Sequence, residues 1–136
     1  MEITKNNKMR DNGKRLAVII LNWNGLRLLK EFLPSAVRFS IDSRTDLFVA
    51  DNGSTDASLE WVRSEYPQVN ILSLEKNYGF AEGYNRAIEA TRYPYTLLLN
   101  SDVEVSEGWI DPLLDYMEAN PDVTLLSQTS SLRRNT

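Results

Sequence analysis

The stretch YTLLLNSDVEV, residues 95–105, is an apolar run that ends in two carboxylates. Its apolar part is too short to cross a membrane and has the length of a strand buried on both faces of a sheet. Asp102 and Glu104 are two residues apart, so their side chains point the same way if the chain stays extended. Such a pair can share a hard cation, Mg²⁺ or Mn²⁺, whose other positions are filled by water and diphosphate oxygens. The stretch therefore predicts a metal site for a nucleotide diphosphate, with two solvated loop acids as the alternative.

The composition limits the chemistry that the chain can perform. Its 136 residues fit a single domain with one core. Cysteine and histidine are both absent, which excludes disulfides, thiolate or imidazole metal sites, and Ser-His-Asp catalysis. Carboxylates remain as the expected chemical groups. The lack of cysteine agrees with a cytoplasmic location, and we expect the protein in the cytoplasm or peripheral to the cytoplasmic face of the membrane.

Charge is distributed unevenly along the chain. Residues 1–14 are polar and basic without apolar periodicity, so we expect a disordered leader and no signal peptide. Residues 16–136 contain 10 basic and 17 acidic residues. This acidic body should repel nucleic acid and anionic lipid, and it favours a metal-bridged anion site over a purely basic one. No stretch is long enough to span a bilayer.

Strand and helix patterns alternate from residue 16 onward. Apolar runs predict strands at residues 16–21, 46–50, 69–74, 95–99 and 123–126. Helical spacing fills the intervals. Pro34 is expected to bend the first helix or to mark an irregular turn within it, and Ser54 or Asp56 is expected as N-cap of the second. We predict a third helix opened by residues 75–79 and a fourth that includes Trp109. The predicted fold class is a three-layer α/β/α domain with a mostly parallel, Rossmann-like sheet.

Polar residues gather at one edge of this predicted sheet. The carboxyl ends of parallel strands share an edge, and ligands bind there. Four loops at that edge carry Asn22 and Asn24; Asp51 and Asn52; Asn77 and Tyr78; and Asn100, Asp102 and Glu104. Turns favour Asn, Asp and Gly for backbone reasons, so each loop alone is more simply explained as scaffold. Carboxylates at two different strand ends are not needed by turns, and together the loops indicate a ligand site.

Four segments carry a resemblance to a known family. They are VIILNWNG at residues 18–25, VADNGSTD at residues 49–56, NYGFAEGYN at residues 77–85 and LLNSDVEV at residues 98–105. Together they resemble the nucleotide-binding half of family 2 glycosyltransferases, closest to the rhamnosyltransferase-like branch. The likeness runs from about residue 15 to the end, so residues 15–136 are interpreted as a nucleotide-sugar-binding half-domain truncated at its C-terminus. The resemblance implies the GT-A fold, a divalent metal and inverting transfer of a sugar from a nucleotide diphosphate.

The resemblance also implies roles for individual residues. Asp51 would accept a hydrogen bond from N3–H of uracil or thymine, so we expect a UDP or dTDP donor. Asp102 matches the metal ligand of the D-x-D-like motif, and Glu104 stands where that motif has its last Asp. The other implied nucleotide-binding residues are Asn22 and Asn24 at the base and ribose, Asn77, Gly79 and Asn85 near the diphosphate and sugar, and Ser101 beside the metal ligand. A glycan or lipid-linked acceptor in cell-surface glycan synthesis completes the implied reaction.

One part of the family pattern is not found in this sequence. The inverting mechanism needs a carboxylate base, which the family keeps in a second half of the domain, so we place the base beyond Thr136. We therefore expect the 136-residue chain to fold but not to transfer sugar. An uncovered sheet edge or apolar patch near Trp109, Val123 and Leu125 should then lead to self-association, or to a mobile tail from Thr129 onward.

Three other functional classes share parts of this pattern. A dinucleotide-dependent oxidoreductase would also place an acid where Asp51 lies, but it needs G-x-G-x-x-G after the first strand, and NWNGL has one glycine. A sugar nucleotidyltransferase needs a glycine-rich basic loop at the same position, which is missing. A non-catalytic nucleotide-binding or interaction module stays open, because the catalytic base is unassigned.

Overall fold

The computed structural model describes residues 1–6 and 13–127, and in them six strands form one sheet. The strands are β1 Glu2–Lys5, β2 Leu16–Asn22, β3 Thr45–Asp51, β4 Asn70–Ser73, β5 Tyr95–Leu98 and β6 Leu125–Ser127. The helices are α1 Leu26–Ser40, α2 Ser58–Glu65, α3 Phe80–Thr91 and α4 Asp111–Ala119. The strand order is β4-β3-β2-β5-β1-β6.

Four neighbouring strands, β4, β3, β2 and β5, form the parallel part of the sheet. β2 pairs in parallel with both β3 and β5, and β3 pairs in parallel with β4. The register places Asn22 beside Asp51, and Asp51 beside Ser73, so the carboxyl ends of three strands are level. The predicted mostly parallel sheet is confirmed, and this level edge is where the predicted site residues gather.

Helices cover both faces of the sheet but unequally. One core cluster joins α1, α2 and α4 to alternate strand residues such as Val18 and Val49. The other joins α3 to the intervening residues, including Ile19 and Ala50. Because successive strand residues face opposite layers, the continuous apolar run of β2 is buried on both sides. The three-layer α/β/α architecture is confirmed.

The N-terminal segment corrects one prediction. Glu2–Lys5 is not a disordered leader, because it forms β1 between β5 and β6 and pairs antiparallel with both. Ile3 is buried in the core, and the Lys5 ammonium donates to the Pro121 carbonyl at 2.8 Å. A four-residue strand with one buried apolar side chain has no periodicity to read, so only pairing with its neighbours specifies it. Residues 7–12 of the predicted leader lie outside the described residues.

Several helix boundaries differ from the predicted ones. Pro34 lies inside an uninterrupted α1, exposed on its outer face. The N-cap of α2 is Ala57, neither Ser54 nor Asp56, and α4 begins after Trp109. α3 begins at Phe80, later than predicted, because Gly79 adopts φ +82° and ψ −179°, a conformation essentially limited to glycine.

The β6 edge of the sheet was predicted to be uncovered. Leu125 on β6 is 51% exposed, whereas Trp109 and Val123 are half-buried against the core. The Trp109 indole N–H donates to Ser40 Oγ at 3.2 Å, which explains why this side chain does not join an exposed patch. The predicted mobile tail from Thr129 lies outside the described residues. Within the described ranges, no helix has the length and hydropathy needed to cross a bilayer.

Candidate functional site

A cleft opens at the point where the strand order reverses. β2 lies between β3, which follows it in the chain, and β5, which is reached only after β3 and β4. In doubly wound sheets ligands bind at such a switch point, outside the carboxyl ends of the strands. The cleft has a volume of about 250 Å³ and is lined by Leu21, Leu28, Phe80, Leu98, Leu99, Asn100, Ser101 and Asp102. Two predicted site residues, Ser101 and Asp102, therefore line it.

A buried hydrogen-bond network joins the ends of β2 and β3. The Asn22 amide donates to Asp51 Oδ1 at 2.9 Å and to Ser58 Oγ at 3.0 Å. Ser54 donates its hydroxyl to Asp51 Oδ1 at 2.6 Å and its backbone N–H to Oδ2 at 2.9 Å. Asp51 is only 2% exposed, so its carboxylate is held inside the protein by these donors. Hydrogen bonding to a base would use the remaining lone pair of Oδ2.

Asn24 holds the loop after β3 against the loop after β2. Its backbone is left-handed, at φ +48°, and its Oδ1 accepts the N–H groups of Thr55 at 2.7 Å and Asp56 at 3.1 Å. Its own N–H donates to Ser54 Oγ at 2.8 Å. The Asn24 Oδ1 atom is therefore engaged within the protein, where it holds the two predicted base-binding loops together.

Asp56 connects the starts of two helices. Oδ2 accepts the N–H of Leu26, the first residue of α1, at 3.2 Å, and Oδ1 accepts the N–H of Ser58, the first residue of α2, at 3.0 Å. The Ser58 hydroxyl also donates to Oδ1. Desolvation works to raise the pKa of Asp56, but the Ser58 and Leu26 hydrogen bonds outweigh it and hold the pKa below its ordinary value.

The loop before α3 is held by Asn52, a residue that is 3% exposed. Asn52 Oδ1 accepts the N–H of Tyr78 at 3.0 Å, and its amide donates to the Gly79 carbonyl at 3.0 Å. Asn77 Oδ1 accepts the N–H of Gly79 at 2.8 Å. The predicted residues Asn77 and Gly79 are thus placed beside the end of β3.

The two predicted metal ligands are exposed, and neither has a partner among residues 1–6 and 13–127. Asp102 and Glu104 lie on either side of the half-buried Val103, and their exposure alternates with that of Val103 and the buried Val105. The prediction that the two carboxylates face the same way assumed an extended chain, whereas Ser101 and Asp102 lie in a turn, so a shared direction of the two side chains stays a prediction. In the described part of the chain no group of three or more acidic residues could enclose a metal ion. A cation bound here would depend on ligand oxygens to complete its coordination.

Asn85 is not brought to the cleft. It lies on the exposed side of α3 and lines a separate cavity of about 610 Å³ together with Tyr78, Glu82 and Arg86. The Arg86 guanidinium lies 3.8 Å from the centre of the Tyr78 ring and pairs with Glu82 at 2.9 Å. Contact between Asn85 and a ligand in the cleft therefore stays a prediction that this geometry does not favour.

The sequence alone did not identify the roles of two residues near the cleft, Phe80 and Asn52. Phe80, the first residue of α3, has the spacing of an apolar helix face, yet it is 62% exposed and lines the cleft. Asn52 was counted among the loop residues but given no role. A signal for Asn52 was present in Gly83, because glycine inside a helix is unfavourable unless another group needs the space. A Cβ added at Gly83 would lie 2.9 Å from Asn52 Nδ2.

The sequence is similar to those of known proteins. The sequence model described as "Glycosyl transferase family 2" matches residues 17–134. An N-acetylglucosaminyl-diphospho-decaprenol L-rhamnosyltransferase of Mycobacterium tuberculosis is 29% identical over 111 residues, 74% of this chain and 36% of the relative. An uncharacterized glycosyltransferase of Haemophilus influenzae is 23% identical over 119 residues, 85% of this chain and 36% of that relative. The chain thus spans about a third of the length of these relatives.

Solved structures share the fold. S. aureus TarS, in a structure with UDP-GlcNAc, superposes with a TM-score of 0.67 at 20% identity, over 79% of this chain and 32% of that chain. A mannosyltransferase from Pyrobaculum calidifontis, in complex with GDP-Man and Mn²⁺, superposes with a TM-score of 0.60 at 19% identity, over 85% and 34%. The GT-A architecture implied by the sequence is confirmed by these neighbours.

Proposed function

Because the chain belongs to glycosyltransferase family 2, we propose that the cleft between β2 and β5 binds the diphosphate and sugar of a nucleotide-sugar donor. The observation that carries this proposal is the position of the cleft. It lies at the switch point of the sheet, and its lining joins apolar residues of β2 and β5 to the polar Ser101 and Asp102. A small cleft with few polar groups on a rigid sheet edge is suited to orienting a ligand.

A divalent cation, Mg²⁺ or Mn²⁺, fits the carboxylate of Asp102, which lines this cleft, together with that of Glu104 two residues later. Hard cations of this type bind through one or two carboxylates and complete their shell with substrate phosphates and water. Asp102 and Glu104 supply such a pair, and both are exposed and free of other partners in the part of the chain that the structure describes. When bound, the cation would offset the charge of the diphosphate leaving group. The Mn²⁺ seen with the Pyrobaculum mannosyltransferase supports this assignment.

The base of the donor would lie beyond the ends of β2 and β3. We place a pyrimidine there, in a UDP or dTDP donor, with Asn22 and Asn24 lining the pocket and Asp51 Oδ2 accepting from N3–H. The structural neighbour with UDP-GlcNAc supports a uridine nucleotide, and the neighbour with GDP-Man is the reason to test guanine as well. Trp23, 56% exposed on the same loop, leaves an aromatic surface available near the proposed base.

The complete reaction would be inverting transfer of a hexosyl or deoxyhexosyl group to an acceptor. The name of the mycobacterial relative, which includes a diphospho-decaprenol, supports a lipid-linked or glycan acceptor and a role in cell-surface synthesis. The general base is not among the residues assigned here. We therefore propose donor binding for this chain, and keep a non-catalytic nucleotide-binding module as the second candidate because the chain spans about a third of its relatives.

Calorimetric titration with UDP, dTDP, GDP and ADP, each in Mn²⁺, tests donor binding and its base selectivity. We expect UDP or dTDP to bind at least tenfold more tightly than the two purine nucleotides. Equal affinity for all four would remove the base-recognition role from the β2 and β3 ends. Sugar release from UDP-sugars and dTDP-sugars, assayed with and without candidate acceptors, separates the enzyme from the second candidate.

A further inference from the structure

We infer that Asn52 is a positioning residue that sets the loop before α3 for donor binding, an inference that rests on the proposed function. Asn52 lies outside the helices, and it is not among the residues that line the cleft. It follows β3, where its N–H donates to the Asn22 carbonyl at 2.8 Å, so its backbone continues the pairing of β2 with β3. Its side chain makes hydrogen bonds to the loop before α3.

The two hydrogen bonds of the Asn52 side chain need an amide. Oδ1 accepts from Tyr78 N–H and Nδ2 donates to Gly79 O, each at 3.0 Å. One side chain thus satisfies a donor and an acceptor of adjacent residues, much as a paired strand would. A carboxylate at this position has no donor for the Gly79 carbonyl and would place two oxygens near each other, so Asp cannot substitute.

Glycines on both sides make room for this contact. A Cβ added at Gly53 would lie 2.9 Å from the Lys76 backbone, and one added at Gly83 would lie 2.9 Å from Asn52 Nδ2. Gly53 has φ +81°, which glycine accepts without strain, but Gly83 is inside α3, where alanine would favour the helix. The close approach of Asn52 explains why the helix tolerates glycine at this position.

The contact reaches the residues proposed to meet the donor. The Gly79 carbonyl accepts both from Asn52 and from Gly83 N–H, the latter at 3.1 Å, so Asn52 also fixes the first turn of α3. Gly79 N–H is held by Asn77 Oδ1. Asn52 therefore presets the Asn77 to Gly79 segment against β3, and binding a donor need not order it first.

Backbone hydrogen exchange and nucleotide titration of Asn52→Ala and Asn52→Asp test the inference, with Asn70→Ala as the matched control. Asn70 is an exposed asparagine of β4 whose amide makes one long hydrogen bond of 3.4 Å. At a temperature where all variants are folded, we expect both Asn52 variants to exchange Gly79 N–H at least tenfold faster. Asn52 does not itself accept this N–H, whose acceptor is Asn77 Oδ1. Faster exchange would therefore show that the whole loop has moved, and not only that one hydrogen bond is lost. We also expect UDP affinity to fall about tenfold, as for a lost pair of hydrogen bonds, and the Asn70 control to match the wild type.

A mutant cycle with Gly83→Ala provides an independent readout. In the wild-type background the added methyl meets Asn52 and should lower Tm by about 3 to 6 °C. In the Asn52→Ala background the obstruction is gone, and the better helix propensity of alanine should leave Tm unchanged or raise it. Equal losses in both backgrounds, or an Asn52→Ala protein with lower Tm but unchanged Gly79 exchange, would overturn the inference. If the wild type binds no nucleotide, the proposed function is wrong. The hydrogen exchange of Gly79 and the mutant cycle would still show whether Asn52 positions the loop.

Discussion

The Asn22 amide donates to Asp51 Oδ1 at 2.9 Å, across the carboxyl ends of two neighbouring parallel strands. The two residues are also register partners in the sheet, so the side-chain bond continues the backbone pairing of β2 with β3. Both are buried, at 2% exposure. This buried polar contact therefore joins β2 to β3 at the edge of the sheet where we propose that the donor binds.

Replacing Asp51 with Ala should lower the free energy of unfolding. The change removes the acceptor of the buried Asn22 amide and of the half-buried Ser54 donors, leaving Asn22 with Ser58 Oγ, and such a loss costs about 1 to 3 kcal/mol. Urea unfolding measures the effect, and Asp102→Ala is the control, because that exposed carboxylate has no partner in the described residues and should change stability by no more than about 0.5 kcal/mol. Equal stability of the two variants would contradict the buried network.

Asp51 should also affect nucleotide affinity independently of metal. If N3–H of the base bonds to its carboxylate, Asp51→Ala weakens pyrimidine nucleotide binding by about 1 to 3 kcal/mol both in Mn²⁺ and in EDTA. Titrations are made at low temperature, where the destabilised variant is still folded. A loss of affinity confined to the metal-containing buffer would assign Asp51 to the cation.

The position of Asp56 predicts a pH dependence of stability. Its pKa is lower in the folded protein than in the unfolded chain, because Ser58 and Leu26 donate to the ionised carboxylate. The stabilisation is therefore complete above the unfolded-state pKa, near 4, and is lost as pH falls through the folded-state value. Asp56→Asn should flatten the stability profile between about pH 5 and pH 3 and destabilise the protein at pH 7, by about 1 kcal/mol for the weakened caps.

Urea midpoints measured at several pH values check this prediction. Glu60, an exposed acid in the first turn of α2, gives the control variant Glu60→Gln. A pH profile of Asp56→Asn that parallels the wild type below pH 5 would contradict the stabilising role of the Asp56 carboxylate at the starts of α1 and α2.

The elements that the sequence predicts well are those whose pattern is local. Residues 16–21 form an unbroken apolar run, and the structure buries this segment between helices on both faces of the sheet. The polar residues after each strand then locate the ligand edge without further information. Asp102 was predicted in this way, because a carboxylate close to the end of a buried strand is costly, and the structure places it in the lining of the cleft, where its role as a metal ligand stays a prediction.

The elements that were missed depend on distant partners. β1 has one buried apolar residue and becomes a strand because β5 and β6 both pair with it, a condition no local window contains. The Asn52 side chain acts on residues 26 and 27 positions later, so its sequence neighbours show only an Asn-Gly turn signal. Phe80 fits the helical apolar pattern, yet as the first residue of α3 it lines the cleft and is not buried in the core.

The exposed edge strand predicts weak self-association. Leu125 is 51% exposed on β6, the last strand of the sheet order in the described residues. Unpaired edges with apolar side chains find partners, and a lysine on the edge opposes this. Leu125→Lys should reduce concentration-dependent association in sedimentation experiments, whereas Tyr116→Lys, which replaces a 47% exposed residue of α4, should not. Equal effects of both variants would favour general solubility over edge pairing.

The most direct test of the central claim is calorimetric titration of UDP into wild type, Asp102→Asn and Glu107→Gln, each in Mn²⁺ and in EDTA. An amide supplies no charge to a cation, so Asp102→Asn should lose most of the metal-dependent affinity, while Glu107→Gln, an exposed acid outside the predicted pair, should keep it. The account predicts wild-type binding at least tenfold tighter in Mn²⁺ than in EDTA, with this difference absent in Asp102→Asn. Equal affinity of the wild type in the two buffers, or an unchanged metal dependence in Asp102→Asn, would contradict it.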